Sequence, residues 1–161
     1  MGYITFIARR SPASISATDI TAMETKDISI CPEKQQVDFS RMKPGENKII
    51  NINIRNIGQT DIFYYLHANW KVEEPATTEH GIVMAKYLQI IASTLNPQTS
   101  EAEIIYSGPL SELLDKPDSP GRELSLTRGN EDIELKFIIP RDIPRYLEDI
   151  EISVEFTLII L

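Results

Sequence analysis

The chain has 161 residues, 42% of them apolar and 25% charged, values that fit one globular domain with a real core and speak against disorder. A formal charge of −8 excludes the basic surface that nucleic-acid binding requires and opposes docking on anionic lipid. It suits a secreted protein that stays soluble until it meets its partner. Cys31 is the one cysteine, so an internal disulfide and a cysteine zinc cluster are both excluded. It is expected as a small buried residue at a strand end.

In chain order, Tyr3–Ala8 reads as a short strand. Residues 9–26 are rich in Ser, Thr and Ala without a sustained period and read as an extended arm. Asp27–Cys31 and Gln35–Phe39 follow as short strands. Lys43-Pro44-Gly45-Glu46 has the chemistry of a type II turn, with Pro fixing φ and Gly supplying φ > 0. In 48–56, Ile50, Ile52 and Ile54 oppose Asn51, Asn53 and Arg55, the period of a half-buried strand. After a break at Asn56-Ile57-Gly58, residues 62–72 place Ile62, Tyr64, Leu66, Ala68, Trp70 and Val72 on one face.

A loop containing Glu79-His80-Gly81 leads to strands at Tyr87–Ser93 and Glu101–Ser107. A short helix is expected over Pro109–Leu114, with Pro at its first turn. Pro117–Gly121 breaks the chain before a strand over Arg122–Thr127, and Arg128-Gly129-Asn130 turns it again. Residues 131–139 alternate Ile133, Leu135, Phe137 and Ile139 with Glu134 and Lys136. Residues 149–160 alternate Ile150, Ile152, Val154, Phe156, Leu158 and Ile160 with Asp149, Glu151, Ser153, Glu155, Thr157 and Ile159. Many short strands with little helix and no βαβ rhythm predict an all-β fold, a two-sheet jelly-roll-like sandwich with an extended N-terminal arm and one or two short helices. The division is residues 1–26 for the arm and 27–161 for the sandwich domain.

Two readings of the arm stand side by side. It folds onto its own domain or frays, or its apolar tip is donated to complete a neighbour's sheet. Tyr3, Ile4, Phe6 and Ile7 are apolar enough for such an insert, and Ile15 and Ile20 add contacts along the arm. No stretch reaches the roughly 18 apolar residues of a membrane span. The opening apolar run Met1–Ala8 is short for a secretory signal, and Arg9 and Arg10 follow it. The expectation is either a cytoplasmic protein or an exported one whose leader lies outside this sequence.

Catalytic chemistry finds no anchor. The sequence has no Gly-x-Ser-x-Gly, no P-loop and no Gly-x-Gly-x-x-Gly. His67, on the polar face of its strand, and His80, in a loop, lack the spacing of a helical zinc motif. The acidic pairs Glu73-Glu74, Glu131-Asp132 and Glu148-Asp149 read as surface pairs at turn ends. Phe63 and Tyr65 face away from Tyr64 and Trp70 and form a possible ligand platform, exposed unless a loop or partner covers it.

Several segments resemble a known family. Ile-Thr-Ala-Met-Glu-Thr-Lys-Asp-Ile-Ser-Ile at 20–30 resembles the F-x-A-G-T-L-D-L segment of the TasA/camelysin family of exported biofilm-matrix fibre proteins, although Ala22-Met23-Glu24-Thr25 has no glycine. Phe-Ser-Arg-Met-Lys-Pro-Gly-Glu at 39–46 is similar to that family's L-x-N-L-K-P-G-D turn. An alternating strand ending in Arg-Asn-Ile-Gly at 55–58 follows it, where the family has K-N-T-G or E-N-N-G. Gly-Pro-Leu-Ser-Glu-Leu-Leu at 108–114 and the strand at 149–160 fall where members place a short helix and a last strand.

The resemblance covers roughly 20–160. It implies a jelly roll, related in fold to archaeal bundling-pilus subunits, that polymerises outside the cell as the N-terminal strand of one subunit completes the sheet of the next. The metalloprotease activity ascribed to camelysin-like members is not carried over, because the zinc motif is missing. The leading expectation is a non-enzymatic homopolymer subunit of an extracellular fibre or pilus, at the cell surface or in a biofilm matrix. It is expected to need no cofactor, metal or small-molecule substrate. Two alternatives are a monomeric secreted binding module for carbohydrate or another surface ligand, using Phe63 and Tyr65 or the loops at one sandwich end, and a metallopeptidase using His67 and His80.

Overall fold

The computed structural model describes residues 2–10, 23–24, 27–37, 43–72, 74–96, 98–114, 121–127, 129–147 and 152–160. Its strands are β1 (Gly2–Arg10), β2 (Met23–Glu24), β3 (Ile28–Cys31), β4 (Lys34–Val37), β5 (Asn47–Asn56), β6 (Ile62–Val72), β7 (Gln89–Leu95), β8 (Ala102–Pro109), β9 (Arg122–Leu124), β10 (Asn130–Ile138) and β11 (Ile152–Ile160). One α-helix, α1 (Thr78–Tyr87), lies between β6 and β7. Short 3-10 turns occupy Leu110–Leu114 and Arg145–Leu147.

Two sheets face each other. The first runs β2-β1-β11-β6-β9, with β4 also paired to β1; the second runs β3-β5-β10-β7-β8. The chain changes sheet at every step from β2 to β11 except β7→β8, the repeated crossing of a two-sheet β-sandwich. Alternation decides what is buried. Ile50, Ile52 and Ile54 of β5 and Ile133, Leu135 and Phe137 of β10 point into the core, against Tyr64 and Ala68 of β6 and Val154, Phe156 and Leu158 of β11. Phe137 and Phe156 meet edge to face across the two sheets, ring centres 5.9 Å apart, a favoured aromatic geometry.

Particular side chains fix the turns. Gly45 has φ +90° and Glu46 N–H donates to Lys43 O at 2.9 Å, which is the expected type II turn. Asn56, 7% exposed, uses its whole amide. Its Nδ2 donates to Thr60 O at 2.9 Å and Leu124 O at 3.0 Å, and its Oδ1 accepts from Gly58 N at 3.0 Å. One side chain of the second sheet thus ties down the β5–β6 loop and the edge strand β9 of the first.

Three expectations need correction. Cys31 is exposed, because Ile28 and Ile30 take the inward phase of β3 and leave Cys31 on the outward one. His80 is in a helix and not a loop: Thr77 caps α1, with His80 at the third helical position closing a capping box. That position usually carries Glu or Gln, and Gly81 lowers helix propensity, so the local signal was weak. Gly81 nevertheless suits the packing, since a Cβ there would lie 3.1 Å from Val72 Cγ1. The strand expected from Tyr87 begins at Gln89 because Tyr87 closes α1.

Replacing Asn56 with Ala leaves the buried Leu124 carbonyl and the part-buried Thr60 carbonyl without their donor. It is expected to lower stability by about 2–3 kcal/mol, read as a shifted urea midpoint with unchanged slope. Asn51→Ala, on the exposed phase of β5, should change it by less than about 0.5 kcal/mol.

Candidate functional site

The N-terminal strand occupies a defined seat. β1 runs parallel to β11, with Ile4, Phe6 and Ala8 in register with Val154, Phe156 and Leu158, and Arg10 with Ile160. Its other edge is antiparallel to β4 over Gly2–Thr5 and to β2 at Arg9–Arg10. Among the described residues this is the one parallel pair; every other ladder is antiparallel. The expected insert residues Tyr3, Ile4, Phe6 and Ile7 therefore share one strand, while Ile15 and Ile20 lie outside the described residues.

β11 explains why the seat matters. Its inward residues Ile152, Val154, Phe156, Leu158 and Ile160 are at most 1% exposed, and on the other face Thr157 and Ile159 are also buried, at 7% and 6%. β6 pairs with one edge from Ile152↔Val72 to Ile160↔Tyr64. The other edge is satisfied by β1, over seven residue pairs from Ile4 to Arg10.

A second constellation lies in the same row of the first sheet, where Arg10, Ile160, Tyr64 and Arg122 are successive cross-strand partners. Tyr64 Oη donates to Glu131 Oε2 at 2.7 Å, and Arg122 Nε donates to Glu131 Oε1 at 2.6 Å. Arg122 also holds Glu103 of β8 through Nη1 at 2.9 Å and Nη2 at 3.3 Å. Glu131 was expected as a surface acid. It keeps the phase of Ile133, Leu135 and Phe137 along β10, which was the signal available, and so points inward.

Burial, reinforced by the Glu131 carboxylate, holds the Tyr64 phenol well above its ordinary pKa. Burial alone would lower that of Arg122, but the hydrogen bonds it donates to Glu103 and Glu131 raise it. A cleft of about 490 Å³ opens here, lined in part by Thr94, Asn96, Glu103, Arg122, Glu131 and Asp132. Because Arg122 already holds two carboxylates, the network clamps the sheets together and leaves no cation committed to an incoming anion.

The remaining candidates separate. Phe63 is 40% exposed but Tyr65 only 8%, so the pair does not form an open stacking platform. His67 is half-buried on β6, and burial lowers its pKa below 6.5 against the opposing pull of Glu155. His80 Nδ1 accepts from Thr77 N–H at 3.1 Å and its ring leans on Tyr146. Among the described residues no three His, Cys, Asp or Glu side chains gather as a metal ion would require, and no helix is long and apolar enough to cross a membrane. No protein-family model matches the chain, and neither does any curated protein sequence.

Glu131→Ala is expected to cost about 2 kcal/mol, because it strips partners from Tyr64 and Arg122 while Glu103 still compensates Arg122. Urea unfolding beside the exposed Glu123→Ala, expected within about 0.5 kcal/mol of the parent, checks this. His67 supplies a pH test. Its folded pKa lies below the unfolded 6.5, so the unfolded chain takes up the proton first as pH falls. Stability is full above about 6.5 and is lost as pH drops toward the folded value. Unfolding midpoints at about pH 7.5 and about pH 5.5 should therefore differ less in His67→Gln than in the parent.

Proposed function

We propose that this chain is a structural subunit that polymerises head to tail, the β1 segment of one copy seating against β11, β4 and β2 of the next. The observation that carries this reading is the parallel β1–β11 pair. A hairpin can only make antiparallel neighbours, so a parallel strand beside β11 has to come from a remote part of the chain, or equally from another chain. The resemblance to exported fibre proteins at 20–30 and 39–46 points the same way.

Sequence distance supports it. Arg10 and Met23 are neighbours across a ladder, yet residues 11–22 separate them, against the two to five residues a hairpin needs. Twelve residues can span about 40 Å, more than twice the roughly 15 Å radius of gyration of a domain this size. The arm is long enough to carry β1 to a neighbour. A heterologous contact of this kind, repeated without closure, gives a filament. The ligand-platform reading is not taken further, since Tyr65 is buried.

Removing residues 1–18 should abolish filaments in negative-stain micrographs. The remaining chain should stay soluble, melt at a lower temperature, and regain the loss when a peptide of residues 1–18 is added in excess. Filaments formed by the truncated chain would overturn the proposal.

A further inference from the structure

We infer that β1 seated in its own chain is a latch: the closed monomer is a store that neither donates a strand nor accepts one until β1 leaves. This rests on the strand-exchange reading above and adds its regulation.

The argument is one of occupancy. β1 is paired to β11 over Ile4–Arg10 on one edge and, at the two ends of its other edge, to β4 over Gly2–Thr5 and to β2 at Arg9–Arg10. A second copy's strand finds no unpaired row of main-chain groups in that seat, and the chain's own strand is not available to reach out. Among the described residues the outer strands β2, β4, β9, β3 and β8 are each paired on one side only and frame no second slot of this length. β9 has three residues and β3 four, and the β7–β8 ladder carries a register shift at Ala92/Ser93. The seat of β1 is thus the slot that assembly needs, and the closed chain fills it itself.

Opening is also slow by construction. Release breaks seven residue pairs with β11 and six with β4 and β2 before any of them re-forms with another copy. Assembly should therefore start after a lag and shorten when preformed filaments are added.

A disulfide across β1 and β4 tests this. Tyr3 and Gln36 are directly opposed in an antiparallel pair, where Cα atoms lie about 4.5–5.5 Å apart, within the range a disulfide spans. The variant is Tyr3→Cys with Gln36→Cys in a Cys31→Ser chain; Ile4→Cys with Gln35→Cys is the second pair should the first not oxidise or fold. Oxidised as a monomer, it should run as an internally linked monomer on a non-reducing gel and form no filaments, and reductant should restore them. Filaments grown in reductant and then oxidised should give a ladder of linked chains.

If the dilute monomer, on oxidation, links only between chains while filaments still give the ladder, the latch is overturned and strand exchange stands. If filaments grown in reductant give only internal links, or if locked monomers form filaments, β1 does not join subunits, and strand exchange falls together with the latch.

Discussion

The structure turns on β11. Its inward face is buried along its whole length, its outward face is buried at Thr157 and Ile159, and main-chain groups along such a strand are paired in folded proteins. β6 covers one edge along nine residue pairs, and seven more pairs with β1 cover the other. Exchanging the β1 ladder for water costs about 0.5–1.5 kcal/mol per hydrogen bond, a substantial share of a domain's stability of about 5–15 kcal/mol. The slot beside β11 is therefore best filled, and any strand of suitable register fills it. That requirement turns the N-terminal segment from an appendage into part of the fold.

The body around the slot is held by contacts that do not involve β1. Phe137 and Phe156 join the sheets in the middle of the core. At the end where β1 finishes, Arg122, Glu131 and Tyr64 join β9, β10 and β6, and Asn56 ties the β5–β6 loop to β9. At the opposite end α1 lies over Trp70 and Val72, with Leu88 O accepting from Leu110 N–H at 2.9 Å. A strand can be withdrawn from such a frame with the damage concentrated at the edge of β11. A sandwich whose sheets were joined chiefly through β1 would come apart on exchange.

Much of this frame was legible in the residues. The strict alternation of β5, β6, β10 and β11 identified them nearly to the residue, because a strand with one buried face has a period of two that nothing else imitates. The Lys43–Glu46 turn followed from Pro44 and Gly45 alone. What escaped notice was set by tertiary contact. α1 has a His where a capping box usually has Glu, and a glycine inside it, so its helicity rests on packing against β6. The placement of Glu131 needed its phase on β10 to be weighed above its charge. Cys31 needed the same weighing on β3, where the apolar character of a thiol suggests burial but the phase set by Ile28 and Ile30 places it outward. The seat of β1 lies beyond any local pattern, because a parallel partner some 150 residues away leaves no mark on either segment.

An exchanged strand makes the same ladder in its own chain as in a neighbour, so the ladder energy cancels between the two states. What differs is concentration. A strand joined covalently to its own slot by a dozen residues faces it at an effective concentration in the millimolar range, which free subunits do not approach in dilute solution. The closed monomer therefore wins when the protein is sparse, and linking becomes competitive only where copies crowd together or where filament ends present open slots. Once made, each link persists for the reason the latch does: leaving requires β11 to be bared. In such a polymer durability comes from the unfolding barrier of one edge, with no covalent bond and no added interface. On the strand-exchange reading, the slot and the strand that fits it are the working site.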